Sequence, residues 1–291
     1  KDYILLLDAD DVLLPEDQKK LKELKENLPS DIDVVTLNYV MTTDENGKPT
    51  FHFRQPRLVK RSKGYKWIGP VHEYLAAYGN TMNADISVHH MKQKKKKVDS
   101  NAIGRNLRIY ENRLKRGEIF TARDTFYYAN ELRDNKQYEK AITYYTKFLD
   151  DKRGWFEDHI RACINMASCY KYLGDREKEL LTLFKSFSYD EPRSEACCLI
   201  GDVFRAKGDY QTAVFWYNLA IQMKDKQIYG FNNTIFTTWY PHLSLVVCYF
   251  QLGNIEKSME HHEKSKEYIP NDPKVLYNEN FFKEYMKKQK Q

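Results

Sequence analysis

The stretch Lys1-Asp2-Tyr3-Ile4-Leu5-Leu6-Leu7-Asp8-Ala9-Asp10-Asp11 decides the fold of the first part of the chain. An apolar run from Tyr3 to Leu7 ends in three carboxylates within four positions. Consecutive apolar residues flanked by charge read as a strand buried on both faces. In an open α/β sheet, ligands gather outside the carboxyl ends of the strands. Asp8 and Asp10, one residue apart at such an end, are therefore sited to hold a hard divalent cation, Mg²⁺ or Mn²⁺. The same carboxylates also suit an Asx turn or a helix N-cap, and Asp11, ahead of Pro15 and Glu16, could help start the next helix.

Outward from this strand, Leu21, Leu24 and Leu28 mark an amphipathic helix from Glu16 to about Asn27. The β-branched run Ile32–Met41 reads as a second buried strand, and Asn46-Gly47 as a hairpin turn. Short strands are expected at Thr50–Arg54, Arg57–Lys60 and Ala84–His90. Near Ser100 the pattern becomes helical throughout. Leu132, Tyr170, Phe204 and Tyr249 each precede a short polar turn and a second helix, at spacings of 38, 34 and 45 residues. Three of the turns carry Gly174-Asp175, Gly208-Asp209 and Gly253-Asn254, and the small residues Ala129, Ala167 and Gly201 lie where paired helices approach. The middle spacing is the tetratricopeptide period, and the repeats resemble that family. Asp225–Thr237 reads as an insertion before the last repeat, and Asp272–Lys288 as a capping helix.

Composition narrows the classes. The chain has 291 residues, which suggests two domains, and a formal charge of +6. No apolar run is long enough to span a membrane. Five lysines fall in Lys92–Lys97, a solvated linker or a contact for an anionic surface. They lack interleaved aromatics, which argues against nucleic acid as a partner. Cys163, Cys169, Cys197, Cys198 and Cys248 are odd in number, contain no Cys-x-x-Cys pair and lie in helical segments. They read as buried thiols in a reducing, cytoplasmic compartment.

Three clusters of the first part share an order and spacing: Asp8-Ala9-Asp10; Arg57-Leu58 followed by Trp67-Ile68-Gly69-Pro70-Val71-His72-Glu73; and Val88-His89-His90. This pattern resembles the inverting family 2 glycosyltransferases with a GT-A fold. It is most similar to the bacterial branch with C-terminal tetratricopeptide repeats, which includes glycopeptide S-glycosyltransferases. The resemblance implies a partial GT-A α/β sheet over residues 1–97, a helical linker over 98–121 and all-α tetratricopeptide-like repeats over 122–291. It further implies a nucleoside-diphosphate sugar donor and a peptide, protein or glycan acceptor recognised by the repeats, or repeats that hold a homodimer together. By residue, it implies metal ligation by Asp8, Asp10 and His90, donor contacts from Asp8, Arg57 and Trp67, Glu73 as general base and His72 beside it. Trp67 also suits simple core packing, and His90 a structural role. Two departures stand out. Met91-Lys92-Gln93 replaces the family's Asn-Gly-Tyr after the histidine, and the first half of the GT-A sheet is missing. The chain therefore reads as a fragment of a longer enzyme, expected to be inactive alone. The alternative is a tetratricopeptide interaction module with a non-catalytic N-terminal remnant.

Overall fold

A computed structural model describes residues 2–91, 104–223 and 230–289. The basic run Lys92–Lys97, the start of the expected linker and the first part of the expected insertion lie outside the described residues. Two compact units form: one reaches to Asp151 and includes Phe231 and Asn232, and the other begins at Lys152 and resumes at Asn233.

In the first unit, strands β1 (Tyr3–Leu5), β2 (Asp11–Val12), β3 (Val34–Thr43), β4 (Pro49–Lys60) and β7 (Thr81–His90) build one sheet, and β5 (Trp67–Ile68) and β6 (Tyr74–Leu75) pair separately. The order across the main sheet is β1-β4-β3-β7-β2, with β3 and β7 parallel and the other pairs antiparallel. Alternation along β3 sends Val35, Leu37 and Tyr39 to one face, into a core against which Leu21 and Leu24 of helix α1 (Pro15–Asn27) and its C-cap Leu28 pack. The Asp44 carboxylate accepts the backbone N–H groups of Asn46 and Lys48, and Gly47 takes φ 78°, which closes the β3–β4 hairpin.

Three expectations are corrected here. The opening strand is not buried on both faces: β1 sits at the sheet edge, with Ile4 and Leu5 41% and 36% exposed. It has a ladder partner on one side only. The two short strands expected around Pro56 are one strand, β4. Arg57 is the extra residue of a bulge there, since Leu58 pairs with Val35 while Pro56 pairs with the adjacent Thr36. Proline has no N–H to give the ladder, so a bulge is where an inner strand tolerates it. Nor does Asp11 cap α1: Leu14 is the N-cap, without a side-chain bond.

Helices α2 (Arg105–Lys115), α3 (Ala122–Asp134) and α4 (Tyr138–Asp151) complete the first unit. The second holds α5 (Phe156–Leu173), α6 (Arg176–Lys185), α7 (Ser194–Ala206), α8 (Tyr210–Gln222), α9 (Trp239–Gln251), α10 (Ile255–Tyr268) and α11 (Pro273–Gln289). The expected helical pairs are all present, as α3/α4, α5/α6, α7/α8 and α9/α10, followed by the capping helix α11. At the turns, Gly174, Gly208 and Gly253 take φ of 80°, 79° and 75°. The next side chains, Asp175, Asp209 and Asn254, accept the N–H of the residue three positions on and cap the second helix. The first turn lacks glycine, and Lys136 takes φ 61° instead. All five cysteines are free, buried and in the second unit.

Pairing within a repeat depends on close helix approach. A Cβ on Gly201 would lie 2.8 Å from the ring of Tyr217, which is fully buried. Gly201→Ala should gain up to about 1 kcal/mol of helix propensity yet lose about 1–3 kcal/mol to overpacking. A lower denaturation midpoint is therefore expected; an unchanged or raised one would show that the helices can part without cost.

A histidine pair lies inside α9/α10. His242 Nδ1 and His261 Nδ1 are 2.8 Å apart, and Tyr249 stacks on the His261 ring. One ring must donate and the other accept, so both cannot carry a proton on the shared nitrogens. Burial first, then Lys264 and Lys257 against the opposing Glu260, lowers the His261 pKa to about 4. The neutral ring is favoured only in the folded state. As pH falls from the ordinary 6.5 toward 4, the unfolded chain binds a proton that the folded chain refuses, and stability is lost. The loss should approach roughly 3 kcal/mol, and denaturation of His261→Gln between pH 7 and 4.5 should show a shallower decline than wild type.

Candidate functional site

The carboxylates of the opening motif meet on the sheet because the chain crosses it. Leu5 pairs with Leu58 at one edge, and Asp11 pairs with His90 at the other. Between them the chain passes over β4, β3 and β7. Asp11 is the hub. Its Oδ1 accepts the Tyr39 hydroxyl at 2.8 Å, and its Oδ2 accepts the Asp8 N–H at 2.9 Å and lies 3.2 Å from Arg57 Nη2. Arg57 is 4% exposed. Its Nη1 donates to the Leu6 carbonyl, its guanidinium lies 4.3 Å from the centre of the Tyr39 ring, and its Nε is buried without a partner. Burial, then the bond to Asp11 and that residue's charge, hold the Tyr39 pKa well above the ordinary phenol value, so the hydroxyl stays a donor.

Around this buried pair lie the accessible ligands. The Asp10 side chain is 41% exposed, 3.6 Å from His90 Nδ1, which is also 3.1 Å from the Tyr39 oxygen. Asp10, Asp11 and His90 each offer one ligand atom, all within 4.8 Å of one another. Asp8 stands outside that group, mostly exposed, with a carboxylate oxygen 3.6 Å from Arg57. His89 pairs with Val12 and faces the opposite side from His90. Tyr39 is the participant that sequence reasoning missed. Its signal was an apolar-face tyrosine on the strand beside His90. With Asp11 engaged by three donors, Asp10 and His90 are the open ligands. An oxygen and an imidazole nitrogen at the edge of a buried cation–carboxylate pair suit a divalent ion such as Mn²⁺.

The Trp67–Glu73 element is placed elsewhere. It leaves and rejoins the sheet at the end where Val59 and Thr81 flank Val34, whereas His89 pairs with Val40 toward the far end. Trp67, in β5, is 53% exposed, so it is not core. His72 takes φ 52°, which bends the segment out of strand geometry. The His72 Nε2 lies 2.7 Å from Glu131 Oε1 on α3, its ring stacks on Tyr127 at 4.5 Å, and its carbonyl accepts Arg123 Nη2. Burial would raise the Glu131 pKa, but hydrogen bonds from His72 and Asn106 outweigh it and hold the carboxyl below its ordinary value. Glu73, exposed, lines a pocket of about 480 Å³ with His72, Arg105 and Asn106. Among the described contacts none joins Glu73 or Trp67 to the carboxylate cluster. The structure thus gathers Asp8, Asp10, Arg57 and His90, and sets His72 and Glu73 apart with α2 and α3.

Tyr128, Asn165, Arg161 and Arg205 lie on the first helices of their pairs. Tyr128 and Asn165 are buried, and Arg161 is held by Glu195 at 2.6 Å, so Arg205 is the one that opens to a cavity.

Residues 194–227, spanning α7 and α8, match the tetratricopeptide repeat family. No curated protein matches the sequence. Similar solved structures include YrrB, described as a TPR protein with an unusual peptide-binding site (16% identity, 62% of this chain and 84% of that one, TM-score 0.46). Others are pilF of Pseudomonas aeruginosa (14% identity, 55% and 66%, TM-score 0.44) and MamA of Desulfovibrio magneticus RS-1 (15%, 59% and 99%, 0.43). The C-terminal part of the chain consists of tetratricopeptide-type helical repeats. Among the described residues no helix is long and apolar enough to cross a membrane.

The buried ion pair generates a stability test. Arg57→Met strands the Asp11 carboxylate without a cation and should cost about 3–5 kcal/mol. Adding Asp11→Asn should recover a substantial part of that loss in chemical denaturation; additive losses would mean that the two side chains do not depend on each other.

Proposed function

We propose that the chain works as a protein-recognition module through its helical repeats. The observation that carries this reading is the succession of helical pairs with glycine-turned, side-chain-capped second helices, one of which matches the tetratricopeptide family. Stacked helical pairs leave an extended surface that takes up peptide segments. A library of displayed peptides panned against the purified protein should yield binders, and these should compete with one another for exposed first-helix residues. Binders that map only to the sheet would remove the reading.

A second reading has its own support, the convergence of Asp10, Asp11 and His90 beside Arg57. Here the first part of the chain is the metal-binding half of a family 2 glycosyltransferase, and the repeats select a peptide or protein acceptor or hold a dimer. Asp10 and His90 would hold Mg²⁺ or Mn²⁺, with Asp8 at the mouth. The ion, when bound, supplies charge neutralisation for a nucleoside-diphosphate leaving group. Arg57 and Tyr39 fix Asp11, and through the Asp8–Asp11 turn they set where Asp10 sits. In this reading Glu73, which lies apart from the cluster, takes no part at the metal, and His72, held by Glu131 and Tyr127, fixes the backbone of that separate segment.

Mn²⁺ titration followed by electron paramagnetic resonance separates the two readings without an activity assay. Wild type should bind, and Asp10→Ala and His90→Ala should each weaken binding at least about tenfold with unchanged circular dichroism, as loss of one ligand from a small set implies. Equal binding by Asp10→Ala would end the metal reading and leave the first one standing.

A further inference from the structure

The second unit contains a pocket of about 440 Å³ among the end of α7, the first three turns of α9 and the first turns of α11. Two cationic side chains line it, Arg205 and Lys274, and among the described residues that line it none carries a carboxylate. Its walls are aromatic: Trp239 and Tyr240 from α9 and Tyr277 from α11, the last 69% exposed.

At the rim, Asp272 Oδ1 accepts the Lys274 backbone N–H at 2.8 Å, and the acid beside Arg205 is already occupied. Asp202 is buried and accepts the hydroxyls of Tyr217 and Tyr240, with Arg205 Nη2 3.3 Å away. Arg205 Nε donates to the Tyr217 oxygen at 3.1 Å, so the guanidinium is pinned from one side while its side chain stays 36% exposed. A cation held in place by buried partners loses little freedom on binding. The first turn of α9 adds to the field, because its N-cap, Thr238, makes no side-chain cap and its N–H groups carry partial positive charge. Lys274, exposed, brings a second full charge from another helix.

We propose that this pocket binds an acidic peptide segment, with a carboxylate side chain set between Arg205 and Lys274 and an adjacent apolar side chain against Tyr277 and Trp239. The inference rests on the protein-recognition reading and names the partner chemistry for it. Charge complementarity selects the acid, and the aromatic walls select an apolar neighbour over a purely acidic tract.

Fluorescence polarisation tests it with two labelled, C-terminally amidated hexapeptides, Glu-Leu-Asp-Phe-Glu-Leu and its neutral counterpart Gln-Leu-Asn-Phe-Gln-Leu. Amidation leaves side-chain carboxylates as the only acids. The acidic peptide should bind at least tenfold more tightly, and its affinity should fall with added salt. Lys274→Glu should weaken the acidic peptide at least tenfold and leave the neutral one unchanged. Tyr277→Ala should weaken both. Both substituted side chains are exposed, so folding is expected to survive, and circular dichroism checks it. Equal binding of the two peptides, or indifference to Lys274→Glu, overturns the acidic-segment inference while recognition of peptides stands. Absence of binding by either peptide also overturns it. Panned peptides that bind elsewhere on the repeats would then show that the broader reading survives.

Discussion

Asp11 carries a negative charge into a place with no access to water, and Arg57 and Tyr39 are what make that tolerable. The arrangement does more than neutralise. Arg57 belongs to β4, Tyr39 to β3 and His90 to β7, so one carboxylate ties a crossing segment to three successive strands. That segment has little apolar burial of its own: Leu7 and Val12 are both exposed. Its course is set by polar contacts. The bulge at Arg57 belongs to the same arrangement, because the extra residue is the one whose side chain reaches Asp11. Removing the cation therefore disturbs the route of the chain and the placement of Asp10 together.

The second unit is held by a different logic. Each helical pair is closed by a turn with φ near 80° and a short capping side chain, and α5 and α7 carry the small residues Ala167 and Gly201. Several of the polar groups buried between the helices are paired there, whereas Arg193 Nε and both ring nitrogens of His262 have no hydrogen-bond partner. Tyr217 and Tyr240 converge on Asp202, and Arg193 meets Glu157 and Asp190. Such networks specify register between helices, since an apolar core of the same volume would allow them to slide. The same satisfied network leaves Arg205 projecting from a fixed base.

The helical half was legible in the sequence because its signals are local. Gly208-Asp209 dictates a left-handed residue followed by a cap, whatever packs around it, and Gly201 three positions before Phe204 marks a close approach. The sheet was legible only where alternation was long, as in β3. β1 was misread since an apolar run reports hydrophobicity and not how many strand partners lie beside it. In the site, Asp10 and His90 were found from their types and spacing. A helix-starting role stood as an alternative for Asp11 because sequence distance to Pro15 is visible, whereas its pairing with His90 is a contact across 79 positions. The turn of His72 toward α3 was hidden for a related reason: a non-glycine residue with φ 52° has no local signature, and Glu131 and Tyr127, which hold it, are far along the chain.

The distribution of cysteines has a consequence for chemical reactivity. Every thiol lies in the second unit, and burial pushes Cys163 up to about 12, Cys248 to about 11 and Cys198 well above its usual value. Alkylation requires thiolate and access, and the folded helices withhold both. The thiols therefore act as built-in clocks for one part of the molecule. Each records the opening of its own helices and is blind to events in the first unit, so the rate of modification reports opening of the second unit alone.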